Sequence, residues 1–274
     1  MRKPEASSLG WSRWTPPTAR STPPESLPVV LPAQPSPGFQ RVAHYYNRYL
    51  LRRAFHAVWW RGVDVFTAEP RRPLLIYANH PGWWDPLLAF FVVRRTGRDG
   101  YMMSEEKTLR AFRFFRWMGG FSIDRTNARD VAQSIRYAAE RLRSPGTALW
   151  IFPQGEITPP DKRPIAFFKG VAHILRRAPT CVVVPAAIRY EFDDQPRPEA
   201  FLDFGAGETI RGADVSDLVG LTRHLQSRLA ERLDALRDSV WERRREDFAL
   251  ALRGRRSISD AYVDTVARLT GQSR

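Results

Sequence analysis

Residues Ile76 to Phe90 read IYANHPGWWDPLLAF. An apolar run climbs to Asn79-His80, crosses Pro-Gly-Trp-Trp, and meets Asp85-Pro86, which opens a second apolar run. The first run is short and bounded by polar residues, which predicts a buried strand ending at the histidine. The second, DPLLAFFVVRR, predicts a helix with Asp85 as N-cap and Pro86 at its first position. The alternation continues downstream. GYMMSE (100–105) predicts a strand, and KTLRAFRFFRWMGG (107–120) a helix closed by Gly119 or Gly120. DVAQSIRYAAERLRSPG (130–146) predicts an amphipathic helix and TALWIF (147–152) a buried strand. GVAHILRRA (170–178) reads as a helix and CVVVPAAIRYEF (181–192) as another strand. Such alternation predicts an α/β fold: a largely parallel or mixed sheet flanked by helices, with an N-terminal amphipathic helix and C-terminal helices.

The flanks read differently. Residues 1–38, rich in Pro, Ser and Thr, predict a disordered tail. Residues 39–66 predict an amphipathic helix at a membrane interface. Arg41, Arg48 and Arg52 share one face of it, and Tyr46, Leu50, Ala54, Ala57 and Val58 lie opposite. No Asp or Glu falls between Ser26 and Val63. Residues 67–210 form the central domain, and 211–274 long charged helices.

The chain of 274 residues carries a net charge of +14. That balance suits an anionic partner, which could be nucleic acid, a membrane surface or a phosphorylated substrate. Nucleic acid is set aside, because no zinc-ligand spacing, RNA-binding aromatic signature or basic zipper is present. The single cysteine, Cys181, excludes an internal disulfide framework and reads as a buried, inert thiol. No apolar run approaches the length of a spanning helix, and the first residues lack the apolar region of a signal peptide. The expectation is a cytoplasmic protein, peripheral on the inner face of the membrane.

Sites in parallel sheets gather beyond the carboxyl ends of strands. Asn79-His80 ends one predicted strand, and Pro153-Gln154-Gly155-Glu156 ends another. A histidine base needs a second group to fix its tautomer and stabilise its charged form, and a carboxylate does both. A tight turn through Pro81 and Gly82 could fold Asp85 back onto His80. Nothing nearby resembles a serine-hydrolase elbow, so His80 would act on the substrate's own hydroxyl. The plainer alternative is that Asp85 only caps its helix and His80 is an ordinary loop residue.

Four segments in order, NHPGWWD, GGFSIDR, FPQGE and VPAAI, resemble the motifs of the glycerolipid acyltransferase family, the lysophosphatidic acid acyltransferase-like enzymes. Asn79, His80 and Asp85 match the first motif. Gly119, Gly120, Phe121, Ile123 and Arg125 match the second, with one residue fewer between the Gly pair and the Ile–Arg end. Phe152, Pro153 and Gly155 match the third, and Val184 and Pro185 the fourth. The likeness spans about residues 70 to 190.

The resemblance implies an O-acyltransferase of phospholipid metabolism. Its donor would be an acyl thioester, acyl-CoA or acyl carrier protein, used as co-substrate with no cofactor and no metal. Its acceptor would be a lysophospholipid such as 1-acylglycerol-3-phosphate. His80 would take the acceptor's hydroxyl proton, Asp85 would orient the imidazole, and Arg125 would grip an anionic headgroup. Asn79, Gly120, Pro153, Gln154, Gly155, Glu156 and Lys169 complete the expected substrate-binding set. Backbone N–H groups near Gly82 or Gly155 are candidate oxyanion donors. The third motif departs from the family's Phe-Pro-Glu-Gly-Thr-Arg. Gln154 replaces the Glu, Glu156 the Thr and Ile157 the Arg, which puts the acceptor's phosphate in doubt. Lys162, Arg163 and Lys169 follow at a distance. The alternatives are a non-phosphate acceptor (a glycolipid, a carotenoid glycoside or a lyso-aminolipid) or a non-catalytic lipid-binding scaffold. The aromatics of GWWD and FRFFRWMGG could line an acyl groove, sit on the membrane, or simply fill the core.

Overall fold

The computed structural model describes residues 30–193 and 195–255. Most of the tail expected over 1–38, and any helix expected beyond residue 255, lie outside those residues. In chain order the elements are α1 (Pro37–Ala54), β1 (Ala57–Arg61), β2 (Leu74–Ala78), α2 (Asp85–Thr96), β3 (Asp99–Glu105), α3 (Glu106–Ala111), β4 (Gly120–Ile123) and α4 (Ala128–Arg141). There follow β5 (Thr147–Ile151), α5 (Gly170–Arg177), β6 (Cys181–Glu191), β7 (Glu199–Phe204), β8 (Glu208–Ile210), α6 (Leu218–Trp241) and β9 (Ala249–Arg253).

The nine strands form one mixed sheet in the order β4-β3-β5-β2-β6-β7-β1-β9, with β8 paired to β6. From β4 to β6 all neighbours are parallel. β7 turns antiparallel to β6, and β9 antiparallel to β1. β2 is buried along its whole length, as a central strand covered on both faces must be. Its alternate residues serve two layers. Leu75 and Tyr77 pack with the layer of α4, α5 and α6. Leu74 and Ile76 pack with the layer of α1 and α2.

Five sequence expectations change. The helix expected over 39–66 ends at Ala54, and Phe55 is already extended. The AVWWR that follows is β1, paired to β7 and β9, because its Val and two Trp find sheet neighbours that a lone helix could not offer. The helix also starts earlier, with Ser36 as N-cap and Pro37 at N1. Its buried residues are Asn47 and Leu51, while Tyr46 stands 62% exposed.

The second change concerns residues 107–120, which break into α3 and a 3-10 turn over Arg113–Arg116. Gly119 then brings β4 so close to Gly100 that a Cβ would strike its carbonyl oxygen. Third, Asp85 is not the N-cap of α2. Trp84 holds that position, with no side-chain cap. Fourth, the charged C-terminal stretch yields one helix, α6, and then the strand β9.

Residues 31–36, expected to be tail, are tied down. Leu31 exchanges hydrogen bonds with Ser122 of β4, donating to its Oγ and accepting from its backbone N–H. Ala33 donates to the Tyr137 hydroxyl, and Gln34 and Ser36 donate to the carbonyls of Arg116 and Trp117.

Arg98 holds the approach to β2. It is 4% exposed, and its guanidinium donates to the carbonyls of Phe66, Arg72 and Glu69 at 2.7, 2.6 and 2.8 Å. Lysine cannot reproduce that planar fork. Arg98→Lys should lower unfolding stability by about 2–4 kcal/mol, since several charge-assisted bonds are lost at a buried position. The urea midpoint measures it, and a change under about 0.5 kcal/mol would remove Arg98 from this role.

Candidate active site

β2 and β5 are parallel neighbours, with Tyr77 opposite Ile151. Their carboxyl ends therefore deliver Asn79-His80 and Phe152-Pro153-Gln154-Gly155 side by side. Asn79 is buried, and both ends of its amide bond the backbone of Ile188: Nδ2 donates to the carbonyl at 2.9 Å and Oδ1 accepts from N–H at 2.7 Å. Expected among the substrate contacts, it instead splints β2 to β6. Gln154 also supports. Its Oε1 accepts from the His80 N–H at 3.0 Å, and Thr158 N–H donates to the His80 carbonyl at 2.8 Å. The main chain of His80 is thus clamped on both sides by the loop after β5, and its ring stacks on Phe152 with centroids 4.7 Å apart.

His80 Nδ1 lies 2.5 Å from Asp85 Oδ2. An ionised carboxylate only accepts, so in the neutral imidazole Nδ1 carries the proton and Nε2 the lone pair. Asp85 is fully buried. Its Oδ2 also accepts from the Gly82 N–H at 3.0 Å, and its Oδ1 accepts from the Tyr190 hydroxyl. Tyr190 was missed from the sequence. It lies 105 positions from Asp85, at the end of β6, with no local pattern to mark it. Gly82 N–H serves Asp85 and Gly155 N–H donates to the Phe152 carbonyl, so neither is free to hold an oxyanion.

Two cavities meet at this histidine. The larger, of about 890 Å³, runs from the ends of β3 and β5 toward α4 and α5. The smaller, of about 610 Å³, lies between α1, α2 and the 3-10 turn, with Trp150, Val93 and Leu87 among its walls. His80, Pro86, Met102, Ser104, Thr108 and Ile157 line both. Pro153, Gly155, Glu156, Lys169 and Arg125 line the larger, and Gly120 the smaller.

Arg125 bonds Glu105, the last residue of β3, and lies over the Phe168 ring at 5.4 Å. Glu105 also meets Lys107 at 2.7 Å. Lys107 foremost, and Arg125 with it, hold the Glu105 carboxyl below the usual carboxylate range. Glu105 ends β3 beside the site, and no motif marks it. Gly155 has φ +70, and a Cβ there would strike Arg125 and Phe168. The left-handed backbone at this position favours glycine.

Among the described residues, the nearest approach to a metal-ligand set is Glu106, Asp124 and Asp130, whose oxygens lie within 4.8 Å of one another. Glu106 is ion-paired with Arg110. Chemically, the centre can accept a proton at Nε2 of His80 from a hydroxyl brought to the junction of the cavities.

Residues 61–189 match the model of the acyltransferase family. The chain is similar to 1-acyl-sn-glycerol-3-phosphate acyltransferase of Saccharomyces cerevisiae, 23% identical over 122 residues. The aligned stretch covers 43% of this chain and 39% of the yeast protein. No described helix is long and apolar enough to cross a membrane.

Cys181 is buried in β6, and burial pushes its thiol up to about 12. At pH 8 only about one molecule in 10⁴ would carry thiolate. Iodoacetamide should leave the folded protein unmodified and label it fully in denaturant, as read by intact mass. Rapid labelling of the native protein would reopen Cys181 as a nucleophile.

Proposed function

We propose that this protein is an O-acyltransferase that moves a fatty acyl group from an acyl thioester to the hydroxyl of a lysophospholipid such as 1-acylglycerol-3-phosphate. One observation carries the reading: a histidine backed by a buried carboxylate stands where two cavities meet. Nε2 of His80 takes the acceptor's hydroxyl proton as that oxygen attacks the thioester carbonyl. The C–O bond forms, the C–S bond breaks, and the proton passes from the imidazolium to the leaving thiolate. Asp85 holds the ring and stabilises its transient charge. No acyl-enzyme is needed. The smaller cavity, walled by aliphatic and aromatic side chains, suits the acyl chain, and the larger, with Arg125 and Lys169, suits the acceptor's polar end.

A second reading of the acceptor rests on two observations. Ile157 stands where the family carries an Arg, and Arg125 is already engaged by Glu105. An acceptor without a phosphate monoester, such as a glycolipid, would meet fewer unanswered charges there. The test offers purified protein labelled acyl-CoA and acyl carrier protein with lysophosphatidic acid, a monoacylglycerol and a glycolipid, read by mass spectrometry. His80→Ala should reduce transfer about 10²–10⁴-fold. A variant keeping a third of the wild-type turnover would overturn the mechanism. Preference for an uncharged acceptor would move the substrate and leave acyl transfer standing.

The proposal includes a peripheral seat on the cytoplasmic face of an anionic membrane. Val42, Tyr46, Trp83, Phe112 and Phe114 are exposed and all line the smaller cavity. Arg41 and Arg52 of α1, with Arg113 of the 3-10 turn, are exposed as well. Aromatic side chains with cations beside them suit the headgroup layer, where each basic residue contributes about 1 kcal/mol. Replacing Tyr46, Trp83 and Phe114 by Ser should release the protein from phosphatidylglycerol vesicles in a flotation assay. Replacing Arg41, Arg48 and Arg52 by Gln should weaken binding to those vesicles and not to neutral ones. Undiminished flotation of both variants would assign these residues to the fold alone.

A further inference from the structure

Asp85 receives a third donor that no motif marks. Besides His80 and Gly82, the Tyr190 hydroxyl donates to Oδ1, the oxygen that the other two leave unused. The carboxylate is fully buried. A buried carboxylate with one unanswered oxygen would be free to rotate about its χ2 or to draw in water, and either movement would turn Oδ2 away from the imidazole.

Tyr190 is itself held on two sides. Its ring stacks on Phe55 with centroids 5.5 Å apart and planes 19° from parallel. On the other side it lies against Gly82, where an added Cβ would come within 3.0 Å of the ring. Phe55 is buried and also meets Trp84, the residue before Asp85, edge-on at 5.4 Å. Burial foremost, and then the Asp85 charge, push the phenol far up, so Tyr190 keeps its proton and remains a donor near neutral pH. Its strand is fixed next to β2 by the two bonds between Asn79 and Ile188. The segment matching the family ends at residue 189, so Tyr190 and Phe55 both fall outside it.

We infer that Tyr190 is a positioning residue for acyl transfer, fixing the Asp85 carboxylate so that His80 presents Nε2 to the acceptor hydroxyl. The inference rests on the proposed role of His80 as base. Tyr190 touches no substrate in this scheme and acts only through Asp85.

Tyr190→Phe keeps the ring, the stack on Phe55 and the contact with Gly82, and removes only the donor. Expected is a fall in kcat of about tenfold, the scale of one charge-assisted hydrogen bond, with KM for donor and acceptor unchanged. The decisive readout is a double-mutant cycle with Asp85→Asn. Asp85→Asn alone should lower kcat by about 10²–10⁴-fold, and adding Tyr190→Phe should then cost almost nothing. A merely structural tyrosine would cost the same factor in both backgrounds. That additivity, or wild-type kcat in Tyr190→Phe, overturns the inference. If Tyr190→Phe lowers the melting temperature, 3-fluorotyrosine at position 190 retains ring and hydroxyl while altering donor strength. A changed kcat at unchanged KM then supports the role, and an unchanged kcat overturns it. If His80→Ala leaves turnover intact, the base assignment has failed and this role falls with it. If His80→Ala is inactive and the cycle is additive, only the role of Tyr190 fails.

Discussion

Everything at the reactive edge depends on one buried charge. A carboxylate taken fully out of water is tolerated only when its oxygens are answered by donors, and Asp85 is answered by three: the amide of Gly82, the ring of His80 and the hydroxyl of Tyr190. These donors come from different parts of the chain. The first two are local and need the turn through Pro81 and Gly82. The third needs β6 to lie beside β2 in the register that sets Ala78 opposite Ala186. The site is therefore complete only when the sheet has formed, and misregister between β2 and β6 would leave Oδ1 of the buried carboxylate without its donor.

The two layers of the fold explain why the pair at this edge stands where two cavities meet. β2 sends alternate side chains into the layers on its two faces, and the cavities open on those same two faces. A residue just past the strand's end belongs to neither layer and can reach both. His80 is that residue. Its ring is trapped between Phe152 and the Asp85 carboxylate, and its main chain is clamped by Gln154 and Thr158. The mobile parts of any reaction would be the molecules in the cavities and not the base.

The central fold was legible because its signals are local. Buried strands such as LLIYA and TALWI are short, apolar and flanked by breakers, and the two polar clusters at their ends lie side by side on one edge of the sheet. The errors arose where tertiary partners outvoted local pattern. AVWWR continues a helical-looking face, yet β7 and β9 recruit it as a strand. FRFFRWMGG has the apolar content of a helix, yet the chain leaves helical geometry at Phe112 and resumes only as a 3-10 turn. The Asp85 side chain could have capped its helix by sequence alone, and only the positions of His80 and Tyr190 show its actual use. Glu105 as the partner of Arg125, and Tyr190 behind Asp85, are long-range contacts with no spacing for a single sequence to display.

The strap of residues 31–36 has a bearing on how the chain can be shortened. β4 is the last strand on its side of the sheet, and its outer backbone would stand open to any passing strand. Leu31 occupies that place, joined to both the main chain and the side chain of Ser122, while Arg116 reaches back to the carbonyl of Pro32. A fragment trimmed to begin at α1 would keep every residue of the reactive centre and yet expose this edge. Its difficulty would be intermolecular strand pairing and aggregation, which would look like loss of activity while the chemistry itself remained whole.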